Sequence, residues 1–322
     1  MMEPIIYGLS NEQYHRGEEE RQYLSSSLLK KYLISPKAYK HFIDNSTEEK
    51  SDALRFGSLF HMAMEKFQQF GTIDAFYDCV AIFTPPKNDK TGQPYGTTTK
   101  AYAEAYKQFL ANNQGKEIAT LEDAGLIDDM VGTLVRPSVG GATARQVLKL
   151  LKWGKPEVSH FIEYEGLKFK WRPDLESPRK IVDYKTVSTD DLSERSINSI
   201  IAKYGYDISA AHYLFFDHLQ TGKWKLFYWI FVSKVPPHDA VMVDASKWTY
   251  DYDPETDIVM PQVGAIKFKA LLDLHIRCTR ENEWPGSEIF IPKSDNGLRI
   301  MCPTPPLWEV NNAANILEQS YE

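Results

Sequence analysis

The stretch Leu167-Lys-Phe-Lys-Trp-Arg-Pro-Asp174, followed by Asp183-Tyr-Lys185-Thr186, decides the fold of this chain. Apolar and charged residues alternate along it. Leu167, Phe169 and Trp171 share one face of an extended segment, and Lys168, Lys170, Arg172 and Asp174 share the other. Just upstream, Glu157-Val-Ser-His-Phe-Ile-Glu-Tyr164 has the same period of two, and Glu165-Gly166 is short enough to be a hairpin loop. Pairing Tyr164 with Leu167 places Glu163 opposite Lys168 and, further out, Glu157 opposite Asp174. Lys180 to Thr186 reads as a third strand, with Asp183 and Lys185 on one face and Val182 and Tyr184 on the other. Laid beside the second strand, it gathers Glu157, Asp174, Asp183 and Lys185 around one point, on a face lined by positive charge.

Two carboxylates directly opposite each other destabilise a sheet unless a cation lies between them. Hard oxygen ligands of this kind suit Mg²⁺, which keeps part of its water. Such an ion polarises phosphoryl oxygens and acidifies a bound water, while a lysine can orient or deprotonate that water or offset transition-state charge. The residues therefore point to metal-assisted phosphodiester hydrolysis. Their competing reading is an ion-pair ladder on a sheet edge, and for Glu157 a solvent-facing strand residue.

Composition limits the alternatives. The 322 residues carry 37 Lys+Arg against 44 Asp+Glu, a net charge of -7, with 43% hydrophobic and 25% charged residues. This is an ordinary globular composition and excludes fibrous or wholly disordered chains. An acidic chain does not coat nucleic acid by bulk charge. Its charge is uneven, however. Arg145 to Lys185 holds ten basic residues and six acidic ones, so this window is +4 and the remainder -11. The longest apolar run, around Leu226 to Val232, is far short of a membrane span, and Met1-Met2-Glu3-Pro4 does not resemble a secretion signal. Three scattered cysteines, Cys79, Cys278 and Cys302, argue against a disulfide framework or a four-cysteine metal site and predict a cytoplasmic protein.

The flanking sequence reads as helices around this β region. Ser25-Ser26-Ser27 offers an N-cap to a turn stopped at Pro36, which opens a second short helix through Phe42. Phe56 to Phe70 carries an apolar stripe at Phe56, Leu59, Phe60, Ala63, Phe67 and Phe70. Residues 84–100 read as a loop; residues 101–111, 121–136, 193–204, 207–219 and 263–283 read as helices, with Gly205 as a stop. Lys223 to Ser233 predicts a strand buried on both faces, and Ala240 to Ala245 another strand. The expectation is one α/β domain over residues 1–322: a mainly helical part to 150, a mixed sheet flanked by helices over 151–250, then a C-terminal helix and tail.

Together, His61 within Arg55-Phe-Gly-Ser-Leu-Phe-His61, Glu157, Arg172-Pro-Asp174 and Asp183-Tyr-Lys185-Thr186 resemble the PD-(D/E)XK (restriction-endonuclease-like) nucleases. The likeness is nearest to the RecE-type branch, exodeoxyribonuclease VIII, and runs from about residue 7 to 310. It takes in Tyr14-His15, Ser25-Ser26-Ser27-Leu28, Ser35-Pro36, Gly115-Lys116 and Glu283-Trp284-Pro285. The resemblance implies a Mg²⁺ site, with Mn²⁺ able to substitute, made by His61, Glu157, Asp174, Asp183 and the backbone carbonyl of Tyr184, with Lys185 as the catalytic lysine. It implies degradation of linear double-stranded DNA from its ends, 5′ to 3′, leaving 3′ single-stranded tails for a recombinase or annealing protein. It also implies a phage-type recombination role, a homo-oligomeric ring as one arrangement, and no membrane partner. His61 lies off the Phe56 stripe, one turn after Gly57, which leaves room for a ligand. One departure stands out. The Gln-x-x-x-Tyr pair of related nucleases reads Ser209 and Tyr213 here, which with Lys170 and Arg172 are the candidate DNA contacts. A structure-specific or restriction-like endonuclease, or a silent DNA-binding protein, are the alternatives left open.

Overall fold

The computed structural model describes residues 5–45, 51–291 and 293. Met1 to Pro4, Cys302 and the remainder of the C-terminal tail lie outside the described residues. The N-terminal part runs β1 (Ile5–Ile6), α1 (Asn11–Arg16), α2 (Ser26–Leu29), α3 (Pro36–Asn45), α4 (Asp52–Phe70), α5 (Asp74–Cys79), β2 (Val80–Phe83), α6 (Lys100–Asn112), β3 (Glu117–Thr120), α7 (Leu121–Val135) and α8 (Pro137–Trp153). The central part follows as β4 (Lys155–Pro156), β5 (Ser159–Tyr164), β6 (Leu167–Trp171), β7 (Leu175–Ser177), β8 (Lys180–Val187), α9 (Glu194–Tyr204), α10 (Tyr206–Thr221), β9 (Leu226–Ser233) and β10 (Ala240–Asp244). A hairpin of β11 (Tyr250–Asp253) and β12 (Ile258–Pro261) leads into α11 (Val263–Glu281).

The main sheet has the order β10-β9-β8-β7-β4, with β8 and β9 parallel and the other pairs antiparallel. Helices cover both faces because β8 and β9 are apolar on both. Val182, Tyr184, Ile230 and Val232 pack against Phe60, Ile127, Met130 and Val147 of α4, α7 and α8. Ile181, Val187, Phe227, Trp229 and Phe231 pack on the other side against Ile197, Ile201, Ala210 and Leu214 of α9 and α10. The expected mixed sheet flanked by helices, with a mainly helical N-terminal part, is the observed architecture. Among the described residues no helix is long and apolar enough to cross a membrane.

The hairpin forms in the expected register, with Tyr164 opposite Leu167, Glu163 opposite Lys168 and His160 opposite Trp171. Glu165 and Gly166 both take positive φ, 54° and 76°, as a tight two-residue turn with the right twist demands. The second strand, however, does not run unbroken to Asp174, and the third does not lie beside it. β6 ends at Trp171 and belongs to a separate sheet, β1-β5-β6. Pro173 has no N–H to give the ladder, so pairing lapses at Arg172-Pro173 and resumes with β7 in the main sheet. The partner arm breaks in step: β4 pairs with β7, Lys155 opposite Glu176 and Pro156 opposite Leu175. The two arms thus cross from one sheet to the other in unchanged register. Glu157 and Asp174 face each other in the crossing, joined by Glu157 N–H donating to the Asp174 carbonyl at 3.3 Å.

Several elements were not anticipated. The parallel β2–β3 pair and the β11–β12 hairpin have only four-residue strands, too short for a periodic signal. α8 opens with Pro137 and carries Gly140-Gly141, the second at φ 55° in a kink; its apolar stripe of Ala144, Val147 and Leu151 begins only beyond them.

The β7 end of the sheet is anchored by a buried ionic cluster. Lys225 Nζ reaches Glu176 Oε1 at 2.5 Å and Asp217 Oδ1 at 2.8 Å, and His160 Nε2 lies 2.6 Å from Glu176 Oε2. Lys225→Met should leave two carboxylates short of a counter-charge in a site where the lysine side chain is 5% exposed. A loss of about 3–5 kcal/mol is expected in urea unfolding. A loss below about 1 kcal/mol would show that the cluster is solvated and contributes little.

Candidate metal centre

Each element brings one part of the site. α4 is capped by Ser51, whose hydroxyl accepts from Leu54 N–H, and buries Phe56, Leu59, Phe60 and Ala63. That packing turns the next face toward the strand crossing, where His61 Nδ1 lies 2.8 Å from Asp174 Oδ1. Asp174 Oδ2 accepts from the backbone N–H of Tyr184 on β8 at 2.5 Å. Glu157, across the crossing, has a φ of 48°, a left-handed conformation unusual for a residue with a side chain. Its carboxylate is held by Arg172, Nε to Oε2 at 2.8 Å. One ligand atom from each of His61, Glu157 and Asp174 lies within 4.8 Å of the others.

Asp183 stands outside that trio. It shares a face of β8 with Lys185, as the alternation requires, and its Oδ2 lies 2.5 Å from Lys185 Nζ. The Lys185 amine also sits 4.9 Å from the centre of the Tyr206 ring. The trio and Lys185 open into one cleft of about 740 Å³, whose walls include Lys30, Tyr206 and Tyr213.

The charges show what the cleft is built to receive. Burial, helped by repulsion from Asp174, pushes the Glu157 carboxyl up to about 7 even though Arg172 pulls it down. Burial likewise raises Asp183 to about 6 against the pull of Lys185. Asp174 is instead held low: burial opposes its charge, but His61, Lys185 and the Tyr184 N–H outweigh burial. His61 is raised by Asp174 in spite of burial, and Lys185 by Asp183 and Asp174 in spite of burial. Crowded, desolvated carboxylates of this kind gain stability from a cation. An imidazole nitrogen with two carboxylates is a donor set for a divalent ion of the Mg²⁺–Mn²⁺ type, and the residues present fit such an ion.

The candidate DNA contacts fare differently. Lys170 is 3% exposed, and its amine donates to the carbonyls of Tyr14 at 2.6 Å and Glu20 at 2.9 Å. It does not face the cleft. The N-terminal segment covers that strand face through these two carbonyls and pairs along the edge of β6, Leu24 N–H donating to the Lys168 carbonyl and Lys170 N–H to the Leu24 carbonyl. The open basic face expected from alternation is therefore covered. Arg172 reaches the cleft but is bound to Glu157, the Leu9 carbonyl and Asn11, with its guanidinium 4.2 Å from the Tyr14 ring centre. Tyr213 lines the cleft, whereas Ser209, one turn earlier on α10, is not part of its wall. Sequence reasoning passed over Lys30 and Tyr206. Lys30 donates to the Tyr204 carbonyl at 3.1 Å, and burial and the nearby Lys185 lower its amine to about 8. Nothing local distinguishes it from Lys31; only tertiary packing brings the turn after α2 to the cleft.

A mixed sheet sandwiched by helices, with acidic residues at the strand crossing and a lysine two residues after an aspartate, defines a PD-(D/E)XK-like protein. The chain belongs to the family described as a PDDEXK-like domain of unknown function (DUF3799), which it matches over residues 25–288. A crystal structure of a "Putative exonuclease" from Eubacterium rectale shares the fold, with a TM-score of 0.51 and 16% identity over 95% of this chain and 98% of that one. No curated protein matches the chain in sequence.

Proposed function

We propose that this protein is a divalent-metal-dependent DNA exonuclease of the exodeoxyribonuclease VIII kind. It would act on the ends of linear duplexes, 5′ to 3′, and leave 3′ tails for an annealing protein or recombinase. The observation that carries the reading is the convergence of His61, Glu157, Asp174 and Lys185 in one cleft, with Asp183 paired to that lysine. His61, Glu157 and Asp174 would hold the ion, with Asp183 and the Tyr184 carbonyl completing its ligands. The Tyr184 N–H already points at Asp174, and N–H and C=O of one strand residue face the same edge. When bound, the ion polarises the phosphoryl oxygen and makes water a better nucleophile at neutral pH.

The chain's own groups do the remainder. Asp183 keeps Lys185 protonated, so its ammonium can donate to a phosphoryl oxygen as negative charge builds there. Water oxygen bonds to phosphorus and gives up one proton to solvent, the bond from phosphorus to the sugar oxygen breaks, and the leaving oxygen takes up a proton from solvent. Arg172 keeps Glu157 aimed, and Tyr213 closes the wall behind the carboxylates. Purified protein with Mg²⁺ should release nucleotides from a linear duplex and leave covalently closed circular duplex intact. Cutting of the closed circle would mean an endonuclease on the same fold, and no release from either DNA would mean a silent binding protein.

A further inference from the structure

The basic window between Arg145 and Lys185 is only partly used by the metal centre. Lys170 is buried, and Arg172 and Lys185 belong to the catalytic cleft. Lys149, Lys152, Arg179 and Lys180 instead surround a second cavity of about 870 Å³, between the end of α8, the β7–β8 turn and strands β9 and β10. No aspartate or glutamate lines it. Among the described residues none of these four cations is ion-paired with a carboxylate. In a chain of net charge -7, a concave surface with four unneutralised cations holds a local field of the opposite sign.

Its aromatic residues are equally telling. Trp153, the last residue of α8, is 72% exposed on its rim, with Lys152 Nζ 5.2 Å from the ring centre. Lys180 Nζ lies 5.3 Å from the centre of the Tyr228 ring at the other side. The turn between them is held by Ser177, whose hydroxyl accepts from Lys180 N–H at 3.1 Å. Cations that follow a phosphate backbone, interleaved with an open aromatic face, form the pattern that holds single strands.

We propose that this groove binds single-stranded DNA, its phosphates on Lys149, Lys152, Arg179 and Lys180 and one base stacked on Trp153. A duplex does not meet the same need, because its bases are stacked on one another and offer no free face. An acidic peptide would match the charge but leaves the indole without a flat partner. The groove also draws on the strand that carries the chemistry: Lys180 begins β8 and Lys185 stands near its other end, about 16 Å away at the strand rise, with the two side chains on opposite faces of the strand. A strand freed at the catalytic cleft would reach this basic, aromatic site only by passing to the other end and the other face of the sheet. The proposal rests on the nuclease reading only for the source of that strand.

The test separates the two. Fluorescence anisotropy of a labelled oligo-dT of about twelve nucleotides is followed with wild-type protein in EDTA, where no cleavage occurs. Trp153→Ala should weaken binding about tenfold, and Trp153→Phe should restore most of it. Lys149→Ala/Lys152→Ala should lower the log–log salt slope by about 1.4, roughly 0.7 for each phosphate left without its lysine. Loss of oligo-dT affinity in Trp153→Ala is expected whether or not the protein releases nucleotides with Mg²⁺, so the failure of one reading leaves the other standing. All substituted side chains in the groove are exposed, and a thermal melt confirms that each variant is folded. Equal affinity of wild type and Trp153→Ala would overturn the proposal, as would an acidic peptide that displaces oligo-dT as well as unlabelled oligo-dT does.

Discussion

Asp174→Ala is expected to abolish Mn²⁺ binding in calorimetry and to lower nucleotide release by roughly a thousandfold or more. The size follows from where Asp174 stands. It is the residue at which every part of the centre meets: His61 from α4 on one oxygen, the Tyr184 N–H from β8 on the other, and Glu157 across the strand crossing. Without it, His61 has no carboxylate beside its ring nitrogen, and the carboxylates that remain, Glu157 and Asp183, are raised by burial to about 7 and about 6 and are tied to Arg172 and Lys185. Carboxylates that titrate near neutrality and are already paired make a poor divalent site. Loss of the partner of His61 and of the Tyr184 N–H should cost stability, so a thermal melt run alongside confirms that the variant is folded. Undiminished Mn²⁺ affinity in Asp174→Ala would place the ion elsewhere and remove the basis of the proposed chemistry.

Lys185→Met should lower the rate by about a hundredfold to a thousandfold while leaving Mn²⁺ affinity unchanged or higher. Methionine fills much the same volume but cannot donate to a phosphoryl oxygen. Removing the ammonium also removes repulsion toward an incoming cation, which is why affinity should not fall. The variant leaves Asp183, 7% exposed, without its 2.5 Å partner, so its carboxyl should rise further above 6. Separate measurement of rate and metal affinity therefore decides the role. If affinity collapses in step with the rate, Lys185 acts only by keeping Asp183 in place.

Much of the architecture was legible because local chemistry and global fold agree. The Glu165-Gly166 turn sets the hairpin register, and that register places Glu157 opposite Asp174 with no tertiary information. Alternation on β8 puts Asp183 and Lys185 on one face, and the off-stripe position of His61 on α4 leaves it free of the core. The two-faced apolar character of β9 announces a sheet covered by helices on both sides.

Alternation failed on β6, and for an identifiable reason. A period of two says which residues share a face, but not whether that face meets solvent or another segment. Residues 9–24 run across it and bury Lys170, which no spacing within β6 could reveal. The position of Asp183 is a similar case: facing is local, yet whether its carboxylate turns to an ion or to Lys185 depends on the neighbours that α10 and α2 bring.

The sequence by itself determined the strand register, the facing of the acids and the lysine, and the helix-covered sheet, since each follows from turn chemistry and side-chain period over a few residues. Only the tertiary structure decided that Pro173 splits the hairpin between two sheets, that Arg172 pairs with Glu157, and that Lys30 and Tyr206 join the cleft. Those outcomes depend on contacts between segments far apart in the chain, and the free energy that selects them comes from burial shared among such segments rather than from any local preference.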